Sequence, residues 1–95
     1  MVRIMARISS KPGAAAQLRQ ILIDLVGPSR SESGCLGYEL FQDEDDPLDF
    51  ITVEQWADDR AFEMHMAAPH VAKAIAQAGE LLARPPLIHR FTQLA

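Results

Sequence analysis

The segment that most limits how this chain can fold is a predicted strand with apolar side chains on both faces. Residues 48–57 alternate with the period of a strand, so their side chains point in turn to opposite sides of a sheet. One side holds Phe50, Thr52, Glu54 and Trp56, and the other holds Ile51, Val53 and Gln55. A chain of 95 residues is too short to cover both sides itself. A second copy is the simplest cover, and we therefore expect a homodimer.

The remaining elements follow from the spacing of apolar residues and from residues that cap or break helices. Strand periodicity predicts further strands at residues 2–8, 35–42 and 87–94. An apolar stripe predicts a helix over residues 14–26, which Gly27 and Pro28 should kink or end. An aspartate at position 58 or 59 can cap a second helix, and Pro69 suits the first turn of a third.

The resulting order of elements is strand, helix, two strands, helices and a last strand. This is the order of a ferredoxin-like domain with split βαββαβ topology. We therefore predict one α+β domain over residues 1–95, with helices on one face of an antiparallel sheet. The alternation of residues does not tell which face of the sheet the helices cover.

Composition excludes several classes of protein. A hydrophobic fraction of 48% and a net charge of only −4 do not fit a disordered chain. The chain has no basic cluster, so no nucleic-acid partner is expected. Arg3 and Arg7 interrupt the N-terminal segment where a signal peptide needs an apolar stretch, and no apolar run reaches the length of a membrane span. We therefore expect a cytoplasmic chain without a membrane partner.

Glu54 and His65 are the first candidates for a chemical role. Glu54 lies between apolar neighbours on the central strand, and a carboxylate is rarely buried there without a partner. His65 follows on the same helical stripe as Phe62 and Met66, in the helix that returns over that sheet. A Glu–His pair would fix the imidazole tautomer and set its basicity. Both residues also fit a purely structural role, as hydrogen-bonded residues of the core.

Other candidates are less specific. Tyr38 is the only tyrosine, and a buried phenol can donate a hydrogen bond to a phenolic or quinone ligand. His70 lies five residues after His65, about 140° further round a continuous helix. That angle is too large for a pair of histidines that bind zinc from one helix face, and Pro69 interrupts the helix. No metal site is therefore expected.

Three stretches of the chain form a more specific pattern. They are the residues Arg-Ser-Glu-Ser-Gly-Cys-Leu-Gly-Tyr at positions 30–38, Phe50 through Glu54-x-Trp56, and Ala61-Phe62-x-x-His65 with Pro69-His70. Together they resemble the antibiotic biosynthesis monooxygenase family, and in particular its small quinol-monooxygenase-like branch. The likeness covers nearly the whole chain.

The resemblance implies a protomer that dimerises through its sheets into an α+β barrel. It also implies an enzyme that oxygenates a small phenolic, quinol or polyketide-type aromatic substrate with dioxygen, without metal or flavin. The deprotonated substrate would itself supply the electrons, so no cofactor is expected.

Carried over to this chain, the resemblance makes Trp56 the pocket aromatic and makes Glu54 and His65 the polar pair. Tyr38 and His70 become further pocket residues. The chain has no asparagine, the pocket residue of the polyketide and haem-degrading members, and Thr52 is expected in its place. Phe50 and Phe62 complete the predicted set of substrate-binding residues.

Two functions from different classes are therefore compatible with the sequence. In the first, His65 is oriented by Glu54 and accepts the substrate's hydroxyl proton, while Trp56 stacks on the ring. In the second, the chain is a non-catalytic dimeric module that binds a small apolar ligand or a partner. An open pocket that admits an aromatic ring favours the first, and a pocket filled by side chains favours the second.

Overall fold

The computed structural model describes residues 1–95 and has the predicted order of elements. The elements are β1 (Val2–Ser9), α1 (Ala15–Arg30), β2 (Cys35–Gln42), β3 (Asp49–Trp56), α2 (Asp59–Met66), α3 (Pro69–Ala78), a 3₁₀ turn (Gly79–Leu81) and β4 (Leu87–Phe91). The four strands form one antiparallel sheet in the order β2-β3-β1-β4. The predicted ferredoxin-like α+β fold is therefore confirmed.

The helices cover the face of the sheet that carries Glu54. Every residue of β3 on that face is buried, namely Phe50, Thr52, Glu54 and Trp56. Around one end of the strand, Val2, Ile4 and Tyr38 pack with Trp56, and around the other end Leu18, Leu22 and Ala78 pack with Phe50. The hydrophobic core therefore consists of two clusters, with the middle of β3 between them.

The first helix does not end at Gly27 and Pro28, and the expectation that it would end there is wrong. It continues through Pro28 to Arg30 because a proline near the helix end removes only one backbone donor. The Ser31 N–H still donates to the Gly27 carbonyl at 3.1 Å, and Arg30 Nε donates to the Tyr38 carbonyl at 2.9 Å. These bonds hold the last turn against β2 and place residue 32 beside the second helix.

The opposite face of the sheet has no covering layer in the chain. Its apolar residues include Met5, Phe41, Leu87 and Phe91, each at least 38% exposed. All five residues of β4 are exposed, and the strand ends at Phe91, before the predicted end at residue 94. We call this surface the uncovered face. None of the helices has both the length and the apolar character that crossing a membrane requires.

Candidate functional site

A cavity of about 310 Å³ lies between the helices and the middle of β3. Its walls are mostly apolar side chains, among them Leu22, Leu25, Val71, Ile75 and Leu82. The only polar side chains that line it are those of Tyr38, Thr52 and Glu54. A small-molecule site has this character, an apolar enclosure with a few polar groups that converge on one region.

The polar wall follows directly from strand geometry. Thr52 and Glu54 are two residues apart on β3 and therefore project to the same side. Tyr38 on β2 is paired opposite Glu54, which brings its ring to the same region of the cavity. The structure thus places Tyr38, Thr52 and Glu54, three of the residues predicted for the site, on one wall of this cavity.

Two neighbouring side chains fix the Glu54 carboxylate. Thr52 Oγ1 donates to Glu54 Oε2 at 2.7 Å, and Trp56 Nε1 donates to Glu54 Oε1 at 3.0 Å. Each oxygen thus has one protein donor and retains capacity to accept a further proton. The carboxylate is therefore held in one orientation at the cavity wall.

His65 lies behind Glu54 and does not line the cavity. The Asp58 side chain caps α2 by accepting from the Ala61 N–H at 2.8 Å, and this start of the helix turns His65 towards the sheet. His65 Nε2 is 3.8 Å from Glu54 Oε1, a distance suited to an ion pair but longer than the hydrogen bond that the sequence predicts. The contact between α2 and β3 is instead made by the Trp56 indole, which lies against the imidazole with 4.4 Å between ring centroids.

The other nitrogen of His65 contacts a residue that sequence reasoning missed. His65 Nδ1 is 2.6 Å from Glu32 Oε2, and His70 Nε2 is 2.9 Å from the same oxygen. Glu32 lies in the loop after α1, where no periodic pattern marks a residue. The only sequence signal for Glu32 was its position inside the stretch at residues 30–38, where no role was assigned to it.

The two histidines approach each other because they lie on different helices. The angle of about 140° between His65 and His70 applies to one continuous helix, but α2 ends at Met66 and α3 begins at Pro69. The change of direction at Ala67 and Ala68 brings the imidazole centroids to 6.1 Å. The prediction that His65 and His70 point in different directions, which assumed one continuous helix, is therefore wrong.

Side-chain exposure is low for the two residues at the cavity end and higher for the two nearer the surface. It is 5% for Glu54, 4% for His65, 17% for Glu32 and 26% for His70. The four side chains thus form a polar row that connects the cavity wall with the protein surface, and we call it the Glu54–His70 row. The contacts from His65 to His70 are within hydrogen-bond distance, and the step from Glu54 to His65, at 3.8 Å, is longer.

Several residues predicted to bind substrate do not line the cavity. Trp56 is completely buried and stacks on His65, and Phe50 is enclosed by Leu18 and Leu22 in the core. Phe62 packs against the cluster around Trp56, and His70 faces Glu32. The placement of these residues differs from the prediction because the cavity lies over the middle of β3 and not over its ends.

The Tyr38 phenol has a perturbed acidity. Burial raises the pKa of Tyr38, and the nearby Glu54 carboxylate raises it further. The phenol therefore stays protonated under ordinary conditions and can act as a hydrogen-bond donor in the cavity. It is not suited to accept a proton from a ligand.

Comparison with known proteins identifies the same family that the sequence pattern resembles. The family model described as "Antibiotic biosynthesis monooxygenase" matches residues 1–77. Rv0793 of Mycobacterium tuberculosis, provisionally named a monooxygenase, is 34% identical over 84 residues, which cover 88% of this chain and 82% of that protein. YcnE of Bacillus subtilis, also provisionally named a monooxygenase, is 31% identical, with 90% of each chain covered.

Solved structures agree in fold over the whole length of the chain. The crystal structure of PA3566 from Pseudomonas aeruginosa superimposes with a TM-score of 0.93 at 38% sequence identity, covering 99% of this chain and 94% of that one. The structure of Rv0793 superimposes with a TM-score of 0.91 at 32% identity, covering 99% and 95% of the two chains. The ferredoxin-like fold is therefore shared with these relatives.

Proposed function

The chain belongs to the antibiotic biosynthesis monooxygenase family, and from that premise we propose that it oxidises a small phenolic, quinol or polyketide-type aromatic substrate with dioxygen. The observation that carries the proposal is the apolar cavity of about 310 Å³ with a fixed carboxylate in its wall. Cavities of about 150 Å³ already admit benzene, so this one has room for a larger ring system. We also propose that the protein is cytoplasmic, as expected from the sequence.

In the proposed mechanism Glu54 is the catalytic residue, because it is the only carboxylate that lines the cavity. It accepts the hydroxyl proton of the bound substrate, while the protonated Tyr38 phenol donates to the substrate oxygen and Thr52 holds the carboxylate. The electron-rich anion then reduces dioxygen. One oxygen atom is added to the substrate, and the other leaves as water with hydrogens that the substrate supplies.

His65 has a positioning role in this mechanism, and this changes the role assigned from the sequence. The imidazole does not touch the cavity, but its Nε2 faces Glu54 Oε1 at 3.8 Å. It takes up the proton from Glu54 once this distance shortens to a hydrogen bond, and passes it along the Glu54–His70 row towards solvent. Trp56 supports this arrangement by stacking on the ring and donating to Glu54.

The proposed oxidation can be measured directly. We expect the chelator-treated protein to accelerate the aerobic oxidation of menadiol or an anthrone above the spontaneous rate. With isotopically labelled dioxygen, one labelled atom should appear in the organic product. Heat-denatured protein at the same concentration is the control. A rate equal to that of the denatured control would contradict the proposal, and saturable binding of a naphthoquinone without turnover would indicate the non-catalytic ligand-binding module instead.

We further propose that the protein is a homodimer joined through its uncovered face. Met5, Phe41, Leu87 and Phe91 all lie on that face and are at least 38% exposed. Soluble monomers rarely leave large contiguous apolar patches open to water. A second copy of the same face would cover them and complete a barrel of two sheets.

Sedimentation equilibrium at micromolar concentration should give twice the 10.5 kDa mass of one chain. Val53 lies on the uncovered face, paired with Met5 and Glu39, and Val53→Lys should shift the protein towards monomer. Lys73→Gln, on the exposed surface of α3, is the matched control and should leave the mass unchanged. A folded monomer of the parent chain at this concentration would contradict the barrel.

A further inference from the structure

We propose that Glu32, His65 and His70 form a binding site for one divalent transition-metal ion, outside the substrate cavity. Glu32 Oε2, His65 Nδ1 and His70 Nε2 all lie within 4.8 Å of one another. Two imidazole nitrogens and one carboxylate oxygen are ligands suited to Zn²⁺, Co²⁺ and Fe²⁺. The proposal goes beyond the oxidation reaction and departs from the expectation that the chain binds no metal. While an ion is bound, His65 cannot relay a proton from Glu54, so the relay belongs to the metal-free protein.

The distances from Glu32 Oε2 to the two imidazole nitrogens suit an ion after a small movement. Ligand atoms about 2.1 Å from a tetrahedral Zn²⁺ lie about 3.4 Å from each other. The two contacts to Glu32 Oε2 now measure 2.6 and 2.9 Å. Each would therefore widen by less than about 1 Å as the metal replaces the protons that now join these atoms.

The three ligands come from elements that the fold holds independently. The Glu32 N–H donates to the Ser29 carbonyl at 3.2 Å, which anchors the loop after α1. His65 belongs to α2, capped by Asp58, and His70 belongs to the first turn of α3 after Pro69. The site is therefore a corner between one loop and two helix ends, and its shape does not depend on a single flexible segment.

Glu54 lies on the side of His65 that faces away from the proposed ion. Histidines that bind metal through one ring nitrogen usually donate the other N–H to a carboxylate or carbonyl. With His65 Nδ1 on the ion, the remaining proton lies on Nε2, which faces Glu54 Oε1 at 3.8 Å. Thr52 and Trp56 already fix that carboxylate. If the 3.8 Å distance shortened to a hydrogen bond, Glu54 would become the second-shell partner of His65.

Charge and access also favour a cation at this corner. Glu32 and Glu54 place two carboxylates on either side of the buried His65 imidazole, and a divalent ion would balance both charges. An open depression of about 490 Å³ is lined in part by Glu32, Ala61 and Pro69, so the Glu32 side of the site faces solvent. An ion can therefore enter without passing through the substrate cavity, and water can complete its coordination.

Calorimetric titration of the chelator-treated protein with Zn²⁺, and a visible absorption titration with Co²⁺, test the site. We expect saturable binding of one ion per chain and a cobalt spectrum typical of nitrogen and oxygen ligands. Glu32→Gln and His70→Gln should each weaken the affinity at least about tenfold. Both residues are partly exposed, and circular dichroism checks that each variant remains folded.

His89→Gln is the matched control, since His89 lies on β4 at the uncovered face and far from Glu32 in the fold. It should bind Zn²⁺ as tightly as the parent. No saturable binding by the parent would overturn the proposal, as would parent-like affinity in both Glu32→Gln and His70→Gln. The titrations contain no aromatic substrate, so their outcome does not depend on whether the oxidation occurs.

Discussion

Replacing Glu54 with glutamine is expected to lower the turnover of the proposed oxidation by about 10²–10⁴-fold, the usual contribution of a general base. The amide has nearly the same shape as the carboxylate. Its oxygen can still accept from Trp56 Nε1, and its NH₂ can donate to Thr52 Oγ1, so the buried contacts are retained. The variant should therefore stay folded and bind ligand while oxidation is lost. Oxygen uptake, a binding titration and a thermal melt separate these properties.

Two further variants sharpen this test. His65→Gln should also lower kcat, with little change in KM, because His65 acts on Glu54 and does not touch the cavity. Glu63→Gln, on the exposed side of the same helix, is the control and should leave kcat unchanged. If Glu54→Gln oxidised the substrate at the parent's rate, the proton acceptor would have to be another group.

Replacing Gly34 with alanine is expected to lower the free energy of unfolding by about 1–3 kcal/mol, the usual cost of overpacking. A Cβ at this position would overlap the Cβ of Ala61 and lie 3.4 Å from its Cα. The loop cannot retreat freely, because the Ala57 N–H donates to the Gly34 carbonyl at 2.8 Å. Gly34 is two residues from Glu32, so the strain should also lengthen the contact between Glu32 and His65. Urea unfolding measures the change in stability.

Gly27 provides the matched control for Gly34. It also lies near the end of the first helix region, but no atom lies within 4 Å of a Cβ built there. Gly27→Ala should leave stability unchanged or raise it by about 0.5–1 kcal/mol, because alanine favours the helix. Combining Gly34→Ala with Ala61→Gly should recover part of the loss. Parent-like stability of Gly34→Ala would show that the contact between the loop and α2 is not tight.

The fold could be predicted from the sequence because its elements have local signals. β2 has the predicted bounds, β3 differs by one residue at each end, and Asp58 and Pro69 begin their helices as expected. Of the two outcomes predicted at Pro28, a kink or an end of the helix, the end is wrong because a proline in a last turn removes only one backbone bond, and tertiary contacts of Arg30 outweigh it.

The site could be predicted only in part. Alternation on β3 identified the face shared by Thr52, Glu54 and Trp56, but it does not show how far along the strand a cavity opens. Glu32 was missed because its contact with His65 joins residues that are 33 positions apart, one of them in a loop. Its distance from His70 depends on the turn between two helices, for which the sequence has no periodic signal.

The position of the cavity within one protomer has a consequence for mixed assemblies. All of its lining side chains come from the helix-covered side of a single chain. Two protomers joined at their uncovered faces would therefore have complete cavities on opposite outer sides of the barrel, each working without the other. A heterodimer of one active and one Glu54→Gln subunit should retain half of the activity. Substrate saturation should show no cooperativity, and two differently inactivated subunits should not complement each other.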